Sequence, residues 1–109
     1  MSDNRLSIQR FHILVSLADR DRHGSDIVRD VLAQTEGAVR LWPATLYGTL
    51  DALVSEGLIE ELTGADRPEG VSERRRYYRL TQDGRRALAG EAQRLADMAG
   101  AARERLARA

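Results

Sequence analysis

At Gly57 the hydrophobic period of this chain changes, and that change limits the folds open to it. Upstream, in LWPATLYGTLDALVSEG (41–57), Leu46, Leu50, Leu53 and Val54 recur at i, i+4, i+7 and i+8. That spacing puts them on one face of a helix. Pro43 suits the first turn, where a missing N–H costs nothing. Gly57 is a helix-ending residue. Downstream, LIEELT (58–63) reads as a strand, and ADRPEGVS (65–72), with Gly64 before it, reads as a loop because of Pro68 and Gly70. RRRYYRLT (74–81) alternates polar and apolar through Tyr77, Tyr78 and Leu80, as a half-buried strand does. A helix therefore runs into a hairpin with a Gly/Pro-containing loop.

Two more helices precede this unit. Ile8, Phe11, Leu14, Val15 and Ala18 repeat at helical spacing within 5–19. DRDRHG (19–24) reads as a charged turn. A second helix over 25–35 carries Ile27, Val28, Val31 and Leu32, with Ser25 or Gly24 as its cap, and Glu36-Gly37 breaks it. The order helix, helix, helix, strand, loop, strand predicts a mainly α (α+β) winged helix-turn-helix. The loop is the wing.

Thr81 caps a last helix, with Asp83 in its first turn. Run to the C-terminus it would be roughly 40 Å long, more than a small domain is wide. Its stripe is Leu88, Ala92, Leu95, Ala99, Ala102 and Leu106, with Met98 beside it. The far end has nothing of its own domain to bury against, and a second copy of the chain is the simplest partner. The chain is thus expected to divide into a winged helix-turn-helix unit, 1–81, and a C-terminal dimerisation helix, 82–109, the alternative being a frayed tail past Gly100.

At 109 residues this is one domain with a modest core. There is no cysteine, hence no disulfide framework and no thiolate metal site. There is no apolar run long enough to span a membrane, and the polar N-terminus does not resemble a signal peptide. The chain reads as cytoplasmic. Two histidines, His12 and His23, lack a carboxylate or nucleophile at any motif spacing, and the glycines form no phosphate-binding run. No enzyme, metal or cofactor is expected.

Net charge is zero, but charge is unevenly placed. Residues 50–66 hold five acids and no base, whereas 67–86 hold seven arginines against Glu69, Glu73 and Asp83. All seventeen basic residues are arginine. Opposite the leucines of the third helix lie Ala44, Gly48, Ala52 and Ser55, flanked by Thr45 and Thr49. Gly in a helix interior costs roughly 1 kcal/mol against Ala, so a face this bare asks what approaches it.

Several stretches together resemble the PadR family of bacterial transcriptional regulators. They are His23-Gly24 opening the second helix, Thr45-Leu46-Tyr47 early in the third, Gly57-Leu58-Ile59 at the hairpin, and RRRYYRLTQDGRRAL over 74–88. The resemblance covers roughly residues 11–95 and is to the short form with one terminal helix. It implies a homodimer held by the first and last helices, through Ile8 and Phe11 together with the terminal stripe. It also implies a repressor released from a pseudo-palindromic operator by a small molecule bound near the dimer interface. Phe11, Val15, Leu95, Met98 and Ala99 are the candidate lining of that pocket, though plain packing is the commoner role of such residues. Trp42 stands where a capping Ser is common, and Ser25 where a tyrosine is usual.

On this reading double-stranded DNA is what approaches the bare face. Ala44 and Gly48 let the backbone sit deep in the major groove. Thr45 and Thr49 suit phosphate, base-edge or thymine-methyl contact, although Thr45 could simply help cap the helix. Tyr47 either donates to a phosphate or is a core edge. Asp51 would repel phosphate unless an arginine takes it. Arg40, Arg67, Arg74, Arg75 and Arg76 are the candidate phosphate contacts, the last three along or beside the second strand. Cross-strand pairs with Glu60, Glu61 and Glu73 would consume some of these cations. There is no Asn, Gln or Arg between Pro43 and Glu56, which predicts weak direct readout and reliance on DNA shape. Trp42 reads as a hydrophobic staple for the third helix, with a ligand site as the alternative. The competing function is a winged-helix protein–protein module without specific DNA binding, favoured by the acidic Glu60-Glu61 strand and the zero net charge.

Overall fold

In the computed structural model, which describes residues 6–109, helix α1 spans Ile8–Ser16 and strand β1 Arg22–His23. Helices α2 (Gly24–Gln34) and α3 (Pro43–Ser55) follow, then strand β2 (Ile59–Glu61), a 3-10 turn at Gly64–Asp66, strand β3 (Tyr77–Leu80) and helix α4 (Gln82–Arg108). α1 is shorter than its apolar repeat predicts. Ser7 caps it by accepting from Arg10 N–H, and it ends at Leu17; Arg5 lies outside the described residues.

The periodicity change at Gly57 becomes a Schellman turn. Gly57 takes φ 77°, its N–H bonds Val54 O, and Leu58 N–H reaches back to Leu53 O. That turn feeds β2, which pairs antiparallel with β3 in the register Ile59↔Leu80, Glu60↔Arg79, Glu61↔Tyr78. Both strands are shorter than predicted. Residues 74–76 lie in the wing and not on β3, because Ser72 ties off a turn there: Arg74 N–H bonds its Oγ and Arg75 N–H its carbonyl.

DRDRHG is not merely a turn. Arg22 and His23 pair with Tyr78 and Tyr77, giving a three-stranded sheet of order β1-β3-β2. Two residues are too few for strand periodicity to register, so the pairing comes from tertiary contact. Arg22 is held by Ser16 O (2.6 Å) and Asp26 (3.1 Å).

The leucine stripe of α3 is buried as its spacing requires. Leu46, Leu50 and Leu53 join Ile13, Leu14, Ile27, Val31, Ile59, Tyr78 and Leu80 in one core. Leu41 and Leu46, at N′ and N4 of α3, are both in that core and occupy the staple positions. Trp42 is the N-cap residue and stays 60 % exposed, so the staple is Leu41 and not Trp42.

Thr81 ties α4 to this unit. Its hydroxyl donates to Gly57 O (2.6 Å) and accepts from Gly84 N–H (3.0 Å). α4 then packs on α1, with Leu88 against the core and Glu91 buried, and continues into solvent, giving a molecule 57 Å long and 24 Å thick. Among the described residues no helix is long and apolar enough to cross a membrane.

Candidate nucleic-acid interface

The outward face of α3 is as bare as its sequence. Ala44, Thr45 and Gly48 are exposed, Thr49 is half-buried, and a Cβ built on Gly48 would meet nothing within 4 Å. Thr45 Oγ1 donates to Trp42 O (3.3 Å) and Thr49 Oγ1 to Thr45 O (3.1 Å), which leaves each hydroxyl its lone pairs. Thr45 thus does help close the first turn, since Trp42 supplies no side-chain cap. The Arg40 guanidinium lies 5.4 Å from the centre of the exposed Trp42 ring, a cation–π contact at the leading end of the helix.

Tyr47 lies across the start of α2. A Cβ on Gly24 would come within 2.4 Å of its hydroxyl and 2.8 Å of Cζ, so the His-Gly pair leaves room for this ring. The residue before it does the capping. His23 Nδ1 accepts from Asp26 N–H (3.3 Å), a role the sequence gives to Ser25 or Gly24. Burial and the nearby Arg75 charge push the His23 pKa down, which favours the neutral imidazole that this bond requires.

The arginines expected at DNA divide into two groups. Arg67 braces the wing from inside, donating to Ser72 O and Arg75 O (2.7 Å each) while stacking over Tyr77. Arg76 donates to Asp51 on α3 (2.8 Å) and twice to Glu61 on β2 (2.8 and 3.2 Å). Arg79 forms a two-toothed pair with Asp21 (3.1 and 2.9 Å) and lies 3.8 Å from Glu60. By contrast, the side chains of Arg74 and Arg75 are exposed at the wing turn, with no hydrogen bond or ion pair among the described residues. Among the described residues Arg40 likewise has only its aromatic contact. Of the five candidate cations, Arg40, Arg74 and Arg75 are available to a phosphate; Arg67 and Arg76 are already engaged.

A cavity of about 180 Å3 opens between α1 and α4, lined by Leu6, Ile8, Phe11, His12, Glu91, Arg94 and Leu95. Phe11 and Leu95 are in the expected pocket set; Val15, Met98 and Ala99 do not line this cavity. Glu91 is 5 % exposed and takes both teeth of Arg94 (2.9 and 2.8 Å). Glu91 and Arg94 carry no signal in the sequence, because an i,i+3 Glu/Arg pair on a long helix usually marks a solvated face, and His12 reads there only as a polar helix residue without a motif partner. Of the expected interface residues, Leu88 packs on its own core and Phe11 is half-buried. Ile8, Ala92, Leu95, Ala99, Ala102 and Leu106 are exposed.

A family model described as the transcriptional regulator PadR-like family matches residues 13–90. A curated relative, transcriptional regulator Rv3488 of Mycobacterium tuberculosis, is 34 % identical over 91 residues, covering 83 % of this chain and 78 % of that protein. Among solved structures, H. salinarum RosR superimposes with a TM-score of 0.70 at 26 % identity, over 88 % of this chain and 80 % of that one. A PadR family transcription regulator from Clostridium difficile shares the fold, with a TM-score of 0.73 at 23 % identity over 92 % and 99 % of the two chains.

Proposed function

Because the chain belongs to the PadR-like family of transcriptional regulators, we propose that it is a homodimer that lays α3 in the major groove of a pseudo-palindromic operator. Residues 1–81 contact DNA and 82–109 pair the two copies. The observation that carries this is the open space over Gly48 on a face that lacks long side chains. Such a helix lets its backbone approach base edges, with Thr45, Thr49 and Tyr47 at the rim. Arg74 and Arg75 on the wing and Arg40 ahead of α3 supply phosphate contacts. The α4 stripe sets the spacing of the two reading helices, which for neighbouring half-sites is about 34 Å. The protein acts as a repressor, and the α1–α4 cavity, between first and last helices, is where a small-molecule effector would bias the dimer. The module reading loses support here, because Glu60 and Glu61 are both opposed by arginines.

Selection from a random-sequence duplex library, followed by fluorescence anisotropy, tests the proposal. The selected duplex should bind at least ~10³-fold tighter than a scrambled one. Replacing Arg74 and Arg75 with Ala should weaken binding to both duplexes, and each substitution should flatten the log–log salt slope by about 0.9. A library that enriches no sequence removes the specific regulator; an unchanged slope removes the wing from the interface.

Gly48→Ala separates folding from reading. In a helix interior with free space, Ala should raise stability by about 0.5–1 kcal/mol. The added methyl should cost operator binding about 1 kcal/mol or more, roughly fivefold, by crowding the groove. Thermal melting and anisotropy on one preparation check both signs. Equal affinity would mean that DNA does not approach this face.

A further inference from the structure

The sequence places Arg76 among the phosphate contacts, but its surroundings are unsuited to that task. Three of its five N–H groups are spent on two carboxylates: Nε and Nη2 on Glu61, and Nη2 again on Asp51. One cation with two anions sums to −1, so an approaching phosphate meets net repulsion. The guanidinium also lies 5.4 Å from the Tyr47 ring centre and 5.6 Å from that of Tyr78. Its partners therefore sit on α3 (Tyr47, Asp51), β2 (Glu61) and β3 (Tyr78), and Arg76 itself is the last residue of the wing. α3 also meets the hairpin through the Schellman turn at Gly57 and through the core it shares with Ile59, Tyr78 and Leu80; the Arg76 cluster adds a polar tie between α3 and the last residue of the wing. The same contact answers the problem of a carboxylate on the reading helix, since Asp51 is neutralised from the wing side.

We infer that Arg76 is a positioning residue: by bridging Asp51 to Glu61 and holding Tyr47, it fixes the angle at which α3 and the wing are offered together to one duplex. The inference rests on the DNA-binding reading above. A planar two-ended fork is required for it. Lysine keeps the charge but not the geometry. Loss of the bridge should harm recognition of the selected operator and leave non-specific attraction intact, because the number of phosphate contacts does not change.

The test uses the full chain with Arg76→Gln, Arg76→Lys, Asp51→Asn and the Gln/Asn double variant, each confirmed folded by circular dichroism at the binding temperature. Affinity is read on the library-selected duplex and on its scrambled counterpart at several salt concentrations. Arg76→Gln and Arg76→Lys should each lose about tenfold on the operator, comparable to one mismatched base pair. Scrambled DNA should be held within about twofold, at the wild-type salt slope. Asp51→Asn is the sharper case. Electrostatics alone would tighten binding to both duplexes when an anion leaves the reading helix; the bridge requires operator binding to weaken. The double variant should be no worse than Arg76→Gln, since both changes break one interaction. Equal losses on both duplexes with a flatter slope, restored by Lys, would make Arg76 a phosphate contact and overturn the inference. So would tighter operator binding by Asp51→Asn. A wild-type chain that enriches no duplex fails at the earlier step and overturns the function and this role together.

Discussion

Gly84→Ala should destabilise the protein by about 3 kcal/mol or more, at the upper end of what overpacking costs. A Cβ at this position would lie 2.0 Å from Leu58 O, 2.6 Å from Leu80 Cδ1 and 3.0 Å from Leu58 C. The leucine side chain could turn aside; the carbonyl cannot. Leu58 O accepts from Thr81 N–H (3.1 Å), and Leu58 N–H closes the Schellman turn on Leu53 O, so shifting this peptide strains both the α4 cap and the α3 exit. With ~4–8 °C per kcal/mol for a domain near this size, the melting temperature should fall by about 12–24 °C. Gly90→Ala is the matched control. It lies in the same helix with nothing within 4 Å of its Cβ, and should gain about 0.5–1 kcal/mol. A loss of only a few degrees at Gly84 would mean that α4 does not seat this closely on the Leu58 peptide.

That close seating was legible only in part. Thr81, Asp83 and the helix behind them follow from local rules, and so do Pro43, Gly57 and the Leu46-Leu50-Leu53 stripe; the structure keeps all of these. Local rules fail where the partner is far along the chain. Arg76 meets Asp51 across 25 positions and Arg79 meets Asp21 across 58, so no window around RRRYYR could separate braced cations from available ones. β1 escaped for the same reason, since two charged residues become a strand only when Tyr77 and Tyr78 arrive beside them. At the head of α3 the difference is one of register: Trp42 occupies the N-cap, whereas N′, the position that packs on N4, is Leu41. The bare face of α3 was visible in sequence because small residues need no partner to be small.

Leu95→Arg with Leu106→Arg should convert the protein from a dimer to a monomer and abolish tight operator binding. Beyond Leu95, which still borders the α1–α4 cavity, the helix leaves its own domain, and its apolar residues are increasingly exposed: Leu95 is 40 %, Met98 55 % and Leu106 75 % exposed. A leucine buried against a partner contributes about 1.5–3 kcal/mol. An arginine in its place must either break the contact or be buried without a counterion, which costs several kcal/mol. The fold of one chain should tolerate both changes, because the contacts of α4 with its own core are made earlier, at Gly84 and Leu88. Sedimentation should therefore give twice the chain mass of 12.2 kDa for the wild type and 12.2 kDa for the variant, with near-unchanged helical circular dichroism. Operator affinity should fall at least ~10²-fold, since the second half-site is no longer bound at high effective concentration. Binding to scrambled DNA should fall far less, because one wing still carries Arg74 and Arg75. A wild-type chain sedimenting at 12.2 kDa at micromolar concentration would remove the dimer altogether. A double variant that still sediments as a dimer would place the interface elsewhere than the α4 stripe.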